Sequence, residues 1–257
     1  MKALVLAAGM GERLRPLTDV TPKPMLELGG HPLIHYPLAM LRRAGITDVA
    51  INLHHLGAAI QRGLGDGSAL GLRITYAPEA VLLGTGGPLG GLRDFLGGDT
   101  FVIANSDTIL DLDLSAMLKF HRARSALATI ALFHPANLDY YSRLEIDAAQ
   151  KLRRMRLLAG RDPLRYDDYP PALDANLIAA LSPFMYCGVI VAEPAVLELI
   201  PPATRWSLME GLFAPMVASS KAVFGYVHTG YFRTMDDLKS FDALKAEFAA
   251  SSPPKMI

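Results

Sequence analysis

The 257-residue sequence has little of several features that define common protein classes. It has one cysteine, Cys187, so no disulfide can form within the chain, and a reducing compartment suits it. It has no excess of either charge, with 25 Lys plus Arg against 25 Asp plus Glu. Because no net field draws it to nucleic acid or to an anionic membrane, we expect neither partner. An anionic ligand must then be held by a local site.

Long hydrophobic runs are also scarce. Residues 175–192 carry no charge and approach spanning length, but Asn176, Pro183 and Gly188 interrupt them, which favours a loop followed by a strand. The apolar run over residues 1–8 is shorter than the core of a secretory signal, and no cleavage site follows it. We therefore expect a cytoplasmic protein without a membrane span.

What the sequence does contain is globular composition and alternating secondary structure. Hydrophobic residues make up 51% of the chain and charged residues 19%, which is typical of a folded domain. In the first half, four predicted strands (3–8, 48–53, 72–77 and 101–104) alternate with four predicted helices (32–44, 55–64, 85–95 and 114–124). This alternation predicts an α/β fold with a mostly parallel mixed sheet flanked by helices. Ligands of such sheets bind at the carboxyl ends of the strands.

The second half is less regular. Its predicted strands cover residues 126–133, 144–147, 184–191 and 222–227, and its predicted helices cover 196–200, 208–218 and about 235–248. Residues 153–174 are rich in charge, proline and tyrosine, which predicts a long irregular excursion. No internal repeat and no separating linker is visible, so we expect a single domain.

The most informative segment is a glycine turn after the first strand, "LAAGMGERL". Gly9 and Gly11 allow a tight turn that points backbone N–H groups at one anion, and Arg13 and Lys23 add two cations nearby. The dinucleotide-binding fingerprint needs a third glycine where Leu14 stands, and this argues strongly against a dinucleotide-dependent oxidoreductase. The Walker loop needs a Gly-Lys-Ser/Thr that is absent. Two fixed cations beside such a turn suit a triphosphate.

Residues 2–34, "KALVLAAGMGERLRPLTDVTPKPMLELGGHPLI", closely resemble the signature of sugar-1-phosphate nucleotidyltransferases, L-A-[AG]-G-x-G-x-R-[LM]-x-P-L-T-x-x-x-P-K-P. The resemblance extends to about Phe248 and is weakest over 153–174. It implies one Rossmann-like nucleotidyltransferase domain, with a nucleotide-binding half of about 1–125, a sugar-binding half of about 126–234 and a C-terminal helix of about 235–250. It also implies that a nucleoside monophosphate passes from an NTP to a sugar 1-phosphate, with release of pyrophosphate.

The resemblance assigns nucleotide contacts to specific positions. Arg13 would contact the β and γ phosphates, and Lys23 would bridge the nucleotide and sugar phosphates; together with Asp107 they form the implied catalytic set. Glu79 would accept hydrogen bonds from the edge of the base, although a solvated loop carboxylate is an equally good interpretation. The remaining implied nucleotide contacts are Leu6, Ala8, Gly9, Gly11, Gly84 and Thr85.

A metal site is implied by the segment "FVIANSD", in which Asp107 follows a buried strand. Mg²⁺ needs only one or two protein carboxylates because phosphate oxygens and waters complete its shell. Asp111 and Asp113, in contrast, are interpreted as caps of the next helix. The second ligand is less regular: "GYFRTMDD" departs from the common W-x-D-[IV]-G-T and is similar to the G-F-W-x-x-M-D of glucose-1-phosphate cytidylyltransferases. On that alignment Asp236 binds magnesium and Asp237 caps the helix; both could also be caps.

On the sugar side the resemblance is thinner. It implies Asn105, Tyr186 and Gly188 as sugar contacts. The family's Tyr-Gly appears as Tyr141-Ser142, and no Glu-Lys-Pro follows, so Arg161 is a candidate replacement and a surface arginine the alternative. Other conspicuous residues are interpreted as structural: Cys187 as a packed small residue, His54 and His55 as lacking the further ligands of a zinc site, and Trp206 as packing under a helix.

The substrates stay open at this point. The segments "GDGSALGLRITYAPE" and "LGTGGPL" resemble bacterial mannose-1-phosphate guanylyltransferases and N-acetylmuramate-1-phosphate uridylyltransferases, whereas the C-terminal "MD" resembles cytidylyltransferases. A hexose 1-phosphate with GTP or UTP is favoured. A catalytically silent, nucleotide-sugar-binding regulatory relative is the alternative from another class, and a cytidylyltransferase acting on another phosphorylated substrate is a further alternative. Apolar helix faces fit a core or a homo-oligomer interface alike, so oligomeric state is also open.

Overall fold

A ten-stranded mixed sheet forms the centre of the computed structural model, which describes residues 1–159, 165–202, 204–250 and 256–257. Two short two-stranded sheets accompany it. In chain order the strands are β1 (Lys2–Leu6), β2 (Glu27–Leu28), β3 (His31–Pro32), β4 (Asp48–Leu53), β5 (Arg73–Pro78), β6 (Phe101–Asn105), β7 (Ile109–Leu110), β8 (Ala128–Phe133), β9 (Arg143–Ile146), β10 (Leu152–Leu158), β11 (Tyr166–Tyr169), β12 (Ser182–Ala192), β13 (Val223–Val227) and β14 (Phe232–Arg233).

Nine α-helices are found in the described ranges: α1 (Leu17–Val20), α2 (His35–Arg43), α3 (Gly57–Leu64), α4 (Gly87–Gly91), α5 (Arg93–Leu96), α6 (Leu114–Ala123), α7 (Ala175–Ala179), α8 (Ala214–Ala218) and α9 (Leu238–Ala250). Short 3₁₀ turns occur at Glu12–Leu14, Lys23–Met25, Ser68–Leu70, Leu138–Tyr140 and Pro194–Leu199, and a π-helical turn at Leu208–Phe213. Within these described residues no helix is both long enough and apolar enough to cross a membrane.

The two halves of the sheet differ in strand direction. In the first half β6, β1, β4 and β5 lie side by side and run parallel. In the second half the long strand β12 runs antiparallel to β6, β8 and β9, and β10 and β11 extend the sheet as an antiparallel edge. Parallel strands place their carboxyl ends at one edge, and that edge of β1, β4 and β6 carries the candidate site.

Both faces of the sheet are covered, which follows from the alternation of side chains along each strand. Ala3 and Val5 of β1 face a core built with α2, α3 and α6, whereas Leu4 faces a second core with α4, α5 and residues from 196–200 and 208–217. A third core joins α9 to the glycine turn: Leu14 packs there with Met235 and Phe241. The C-terminal helix thus supports the segment that carries Arg13.

The predicted α/β fold, with a mixed sheet flanked by helices and a C-terminal helix, is confirmed. Most predicted strands match to within two residues. The predicted helix at 32–44 begins at His35, so Pro37 falls in its first turn, where a missing N–H costs nothing. The predicted helix at 85–95 is two short helices instead, because the run is rich in glycine.

The prediction of an irregular excursion over 153–174 is wrong for residues 153–158 and 166–169, whereas residues 170–174 are irregular as predicted. Leu152–Leu158 and Tyr166–Tyr169 form the paired strands β10 and β11. Leu152, Met155 and Leu157 are buried, and the charges between them are paired across strands. Residues 175–192 likewise contain the short helix α7, capped by Asp174, before a strand that is longer than predicted.

The predicted helix at 208–218 begins as the π-helical turn and continues as α8. Pro215 has no N–H to donate to the carbonyl four residues earlier, which interrupts regular α-helical bonding at this point. This irregular turn directly follows Trp206 and Ser207, and the main chain of Trp206 is hydrogen-bonded to the glycine-rich loop at 82–87.

Candidate active site

A cleft of about 270 Å³ opens at the carboxyl ends of β1, β4 and β6. It is lined by nine of the residues that the sequence nominated: Leu6, Ala8, Gly9, Gly11, Lys23, Gly84, Thr85, Asn105 and Asp107. Sequence reasoning missed five further lining residues, which are Ala7, Pro24, Asn52, Leu82 and Ser106. The cleft therefore joins the glycine turn, the glycine-rich loop at 82–87 and the end of β6.

The glycine turn is built as the sequence suggested. Gly11 has a φ of +65°, which a side chain rarely adopts, and a Cβ there would lie 2.8 Å from Cγ2 of Thr18. The hydroxyl of Thr18 donates to the carbonyl oxygen of Gly11 at 2.8 Å and fixes the turn. A Cβ on Gly9 would meet no atom within 4 Å, so the backbone beside the cleft is open to a ligand.

The four charged residues of the implied catalytic and metal sets form two ion pairs. The ammonium of Lys23 donates to Oδ2 of Asp107 inside the cleft, and these two side chains are 16% and 24% exposed. Nη2 of Arg13 donates to Oδ1 of Asp236 at 2.9 Å, at a more exposed position. Each cationic side chain thus neutralises one carboxylate. Both pairs are accessible to solvent, so the cationic side chain can turn to an anionic ligand and the carboxylate to a metal cation.

A hydrogen-bonded chain behind the cleft involves Asn52, which the sequence analysis did not nominate. This asparagine is 1% exposed and is the penultimate residue of the buried strand β4. Its Oδ1 accepts from the N–H of Ala7 at 2.8 Å, and its Nδ2 donates to Oε1 of Glu79 at 2.7 Å. A polar residue inside the apolar run "VAINL" was the available signal.

Glu79 stands at the other end of that chain. Its Oε2 accepts from the N–H of Leu83 at 2.8 Å, so both carboxylate oxygens have protein partners. It holds the loop at 82–87 and does not itself line the cleft. Arg13, Tyr186, Gly188 and Asp236 are also outside the described lining. The contact of Glu79 with a base remains a prediction.

The implied sugar side lies along β12. The hydroxyl of Tyr186 reaches Oδ1 of Asn105 at 3.5 Å. Burial raises the pKa of Tyr186 well above its ordinary value, and the nearby Cys187 and Asp107 act in the same direction, so the phenol stays neutral. Gly188 has a φ of +88°, and a Cβ there would collide with the side chain of Thr108. This close approach explains why glycine stands at position 188, where the pairing of β12 with β8 is irregular.

The residues interpreted as structural have structural partners. Burial raises the pKa of the Cys187 thiol, as expected of a packed residue. Nδ1 of His54 lies 2.8 Å from the carbonyl oxygen of Glu79, and Nε2 of His55 lies 2.7 Å from that of Thr18. Among the described residues no three His, Cys, Asp or Glu side chains are grouped to hold a metal ion.

The predicted helix caps are mostly present. Oδ1 of Asp113 accepts from the N–H of Ala116 at the start of α6, and Oδ1 of Asp237 accepts from the N–H of Ser240 at the start of α9. Asp111 was expected to cap as well, but its Oδ1 lies 3.1 Å from Nε2 of His228, beside Gly230. Arg161 lies outside the described residues.

Comparison with known proteins agrees with this architecture. The family model described as Nucleotidyl transferase matches residues 2–156. The N-acetylmuramate alpha-1-phosphate uridylyltransferase of Neisseria meningitidis is 50% identical over 117 residues, which are 45% of this chain and 51% of that protein. The mannose-1-phosphate guanylyltransferase of Mycobacterium tuberculosis is 30% identical over 253 residues, 98% of this chain and 66% of that protein. The chain thus spans about half to two thirds of these relatives.

Solved structures show the same fold. A putative glucose-1-phosphate thymidylyltransferase from Bacillus anthracis superposes with a TM-score of 0.72 at 21% identity, over 100% of this chain and 98% of that one. HddC from Yersinia pseudotuberculosis, complexed with GMP-PN, gives a TM-score of 0.74 at 18% identity, over 96% of this chain and 99% of that one. Since the family model covers more than half of the chain, and the residues it covers build the cleft, this protein belongs to the nucleotidyl transferase family.

Proposed function

We propose that this protein, as a single domain, transfers a nucleoside monophosphate from an NTP to a sugar 1-phosphate, with an NDP-sugar and pyrophosphate as products. The observation that carries the proposal is the pairing of Lys23 with Asp107 in the cleft, whose lining also includes Gly9 and Gly11 of the glycine turn. A cation, a carboxylate and free backbone amides are the groups that a reaction between two phosphates needs. The named relatives act on sugar 1-phosphates with guanylyl or uridylyl groups.

The reaction requires no covalent enzyme intermediate. A phosphate oxygen of the sugar 1-phosphate forms a bond to the α-phosphorus of the NTP, and the bond from that phosphorus to the β-phosphate oxygen breaks. Pyrophosphate departs with the electron pair of that bond. Because the attacking group is already an anion, the barrier is chiefly repulsion between two polyanions and the entropy of aligning them.

Each nominated residue addresses one part of this barrier. The backbone N–H groups of the glycine turn and the guanidinium of Arg13 stabilise negative charge that moves onto the leaving pyrophosphate. The ammonium of Lys23, once it leaves Asp107, contacts both phosphates and holds them in line. The loop at 82–87 receives the base.

The carboxylates fit a divalent cation. Asp107 offers hard oxygen ligands inside the cleft, and Asp236 supplies a second carboxylate that is now paired with Arg13. Mg²⁺ suits such a sparse protein set because phosphate oxygens complete its shell. When bound, magnesium would neutralise phosphate charge and favour in-line displacement. Asp107 and Asp236 are the residues that would hold it.

We further propose GTP or UTP and a hexose 1-phosphate as substrates, in the cytoplasm. The relatives support this choice because they divide between guanylyl and uridylyl transfer.

A panel of GTP, UTP, CTP and ATP against mannose, glucose and N-acetylmuramate 1-phosphates, with magnesium and pyrophosphate detection, tests the proposal. Pyrophosphate release that depends on both substrates supports it. NTP binding without turnover on any pair would instead indicate a silent regulatory relative, and would contradict the proposal.

A further inference from the structure

Residues 204–208 of the second half form a strap against the loop at 82–87, which we call the base loop. The N–H of Trp206 donates to the carbonyl oxygen of Leu83 at 2.9 Å, and the carbonyl oxygen of Trp206 accepts from the N–H of Gly86 at 2.8 Å. The N–H of Leu208 donates to the hydroxyl oxygen of Thr85 at 2.9 Å. Three hydrogen bonds therefore join the strap to three residues of the base loop, Leu83, Thr85 and Gly86.

The glycines of the base loop are explained by this contact. A Cβ on Gly84 would lie 2.8 Å from the carbonyl oxygen of Trp206, and a Cβ on Gly86 would lie 3.1 Å from Cδ1 of the indole. A Cβ on Gly87 would collide with the carbonyl oxygen of Thr204. The backbone of the base loop thus approaches the strap too closely for side chains.

The indole of Trp206 anchors the strap by packing. It packs against the second core, the one that Leu4 of β1 faces, and a Cβ on Gly211, in the following π-helical turn, would lie 2.7 Å from its Nε1 and Cε2. Its Nε1 is buried and has no hydrogen-bond partner in the described part of the chain. The ring therefore acts through its shape, and its N–H is dispensable.

The strap supports the cleft from behind. Leu82, Gly84 and Thr85 line the cleft, whereas no residue of 204–208 is among the described lining residues. On the opposite side the base loop is held by Glu79, which accepts from Leu83, and through Asn52 by the start of the glycine turn. The base loop is fixed between these two supports.

We propose that the 204–208 strap positions the nucleotide-binding loop, and that Trp206 sets nucleotide affinity without contacting the nucleotide. This inference rests on the proposed function, because it takes the loop at 82–87 as the part of the site that receives the base. A preformed loop binds without a further ordering cost, so loosening the strap weakens nucleotide binding. Two of the three implied sugar contacts, Tyr186 and Gly188, lie on β12, so we expect the affinity for the sugar 1-phosphate not to depend on the strap.

Calorimetric titration with GTP, UTP, CTP and ATP in the absence of sugar phosphate tests this, since no turnover occurs. In Trp206→Ala we expect the Kd of the nucleotide that wild type binds to rise about tenfold through loss of ring packing. Trp206→Phe keeps a ring and should stay within about twofold of wild type. Gly211→Ala should weaken binding as well, because its methyl group displaces the indole while leaving every cleft residue unchanged.

Gly91→Ala is the matched control, because a Cβ there meets no atom within 4 Å. The KM of the sugar 1-phosphate should stay within about twofold in all four variants. Trp206 is the sole tryptophan, so its fluorescence in wild type should change with nucleotide at the same Kd.

The inference is overturned if Trp206→Ala and Gly211→Ala bind nucleotide with the wild-type Kd, even where their melting temperatures fall. A Trp206→Phe as weak as Trp206→Ala would also overturn it, because an aromatic ring at this position would then not be enough to hold the strap. These outcomes are distinct from failure of the proposed function, in which wild type itself binds none of the four nucleotides.

Discussion

The two halves of the sheet use charged residues in different ways. At the carboxyl edge of the first half, the pair Lys23–Asp107 lies in the cleft, and Arg13 of the first half pairs with Asp236 of the C-terminal segment. In the second half, the charges lie along the strands: Arg154 stands opposite Glu145, and Arg156 stands opposite Asp168. Pairs at a strand end can exchange partners with a ligand, whereas pairs within a sheet serve as cross-strand contacts.

The charged residues of β9, β10 and β11 show how ion pairs connect neighbouring strands. Arg154 donates to Asp168, Nε of Arg156 lies 2.9 Å from Oδ1 of Asp168, and Nη1 of Arg154 lies 3.6 Å from Oε2 of Glu145. One carboxylate thus joins two arginines of β10 to β11. The comparison predicts that mutations of the charged residues beside the cleft change activity, whereas mutations of the charged residues within β9, β10 and β11 change stability.

The largest expected effect is on activity, from Lys23→Ala. Loss of the ammonium removes a group that contacts both phosphates, and we expect kcat/KM to fall about 1000-fold, as for the loss of a transition-state donor. Lys151→Ala is the control in the second half, because among the described residues its Nζ donates to one group, the carbonyl oxygen of Ser220 at an exposed position. Steady-state pyrophosphate assays of both variants check this, and equal losses would contradict the division between the halves.

Gly188→Ala should produce the largest loss of stability. Both its φ of +88° and the collision with Thr108 oppose a side chain, so we expect the free energy of unfolding to fall by about 3 kcal/mol. Gly30→Ala is matched in backbone, with a φ of +80° and open space around its Cβ, and should cost only about 1 kcal/mol. Urea unfolding measures both. Equal losses would mean that Thr108 does not restrict Gly188.

A smaller effect is expected from Asp168→Asn. Burial raises the pKa of Asp168, but hydrogen bonds from Arg154 and Arg156 outweigh it, and the net pKa lies below the ordinary 3.8. Its stabilisation is therefore complete above the unfolded-state pKa and is lost as the pH falls through the lower folded-state pKa. We expect the variant to lose about 1 kcal/mol at neutral pH, with wild type and variant converging in acid. Urea unfolding from neutral pH to about pH 3 is the test; a constant difference would refute it.

Glu145→Gln should have the smallest effect and the opposite sign with pH. Burial raises the pKa of Glu145 above its ordinary 4.5, more than Arg154 and Arg156 lower it. Because Glu145 ionises at a lower pH in the unfolded chain than in the folded protein, wild type loses stability as the pH rises from the unfolded-state pKa to the folded-state pKa. The glutamine variant lacks this loss and should match or exceed wild type by less than about 1 kcal/mol at neutral pH. The same unfolding series would contradict this if the variant were weaker at every pH.

Most of the first half could be predicted because its signals are local. Gly11, Lys23 and Asp107 each follow a strand or turn within a few residues, and parallel strands bring such ends together without further information. Asn52 was missed because its role depends on β4 lying beside β1, so that it reaches Ala7.

The second half resisted prediction for the same physical reason. Residues 152–158 carry three arginines, which disfavours a buried strand until Asp168 and Glu145 are known to lie opposite. The strap contacts the base loop through main-chain groups of Trp206, and main-chain bonds leave no trace in side-chain patterns. Contacts between segments that are far apart in the sequence cannot be recognised from the local pattern of either segment.

The most direct test of the central claim compares Asp107→Asn with Asp113→Asn. Asp113 caps α6, and asparagine caps a helix equally well, so this control should keep wild-type turnover and melting temperature. With the substrate pair found active and magnesium present, we predict that Asp107→Asn melts near wild type but releases pyrophosphate at least about 1000-fold more slowly. Pyrophosphate release by Asp107→Asn close to the wild-type rate would contradict the account.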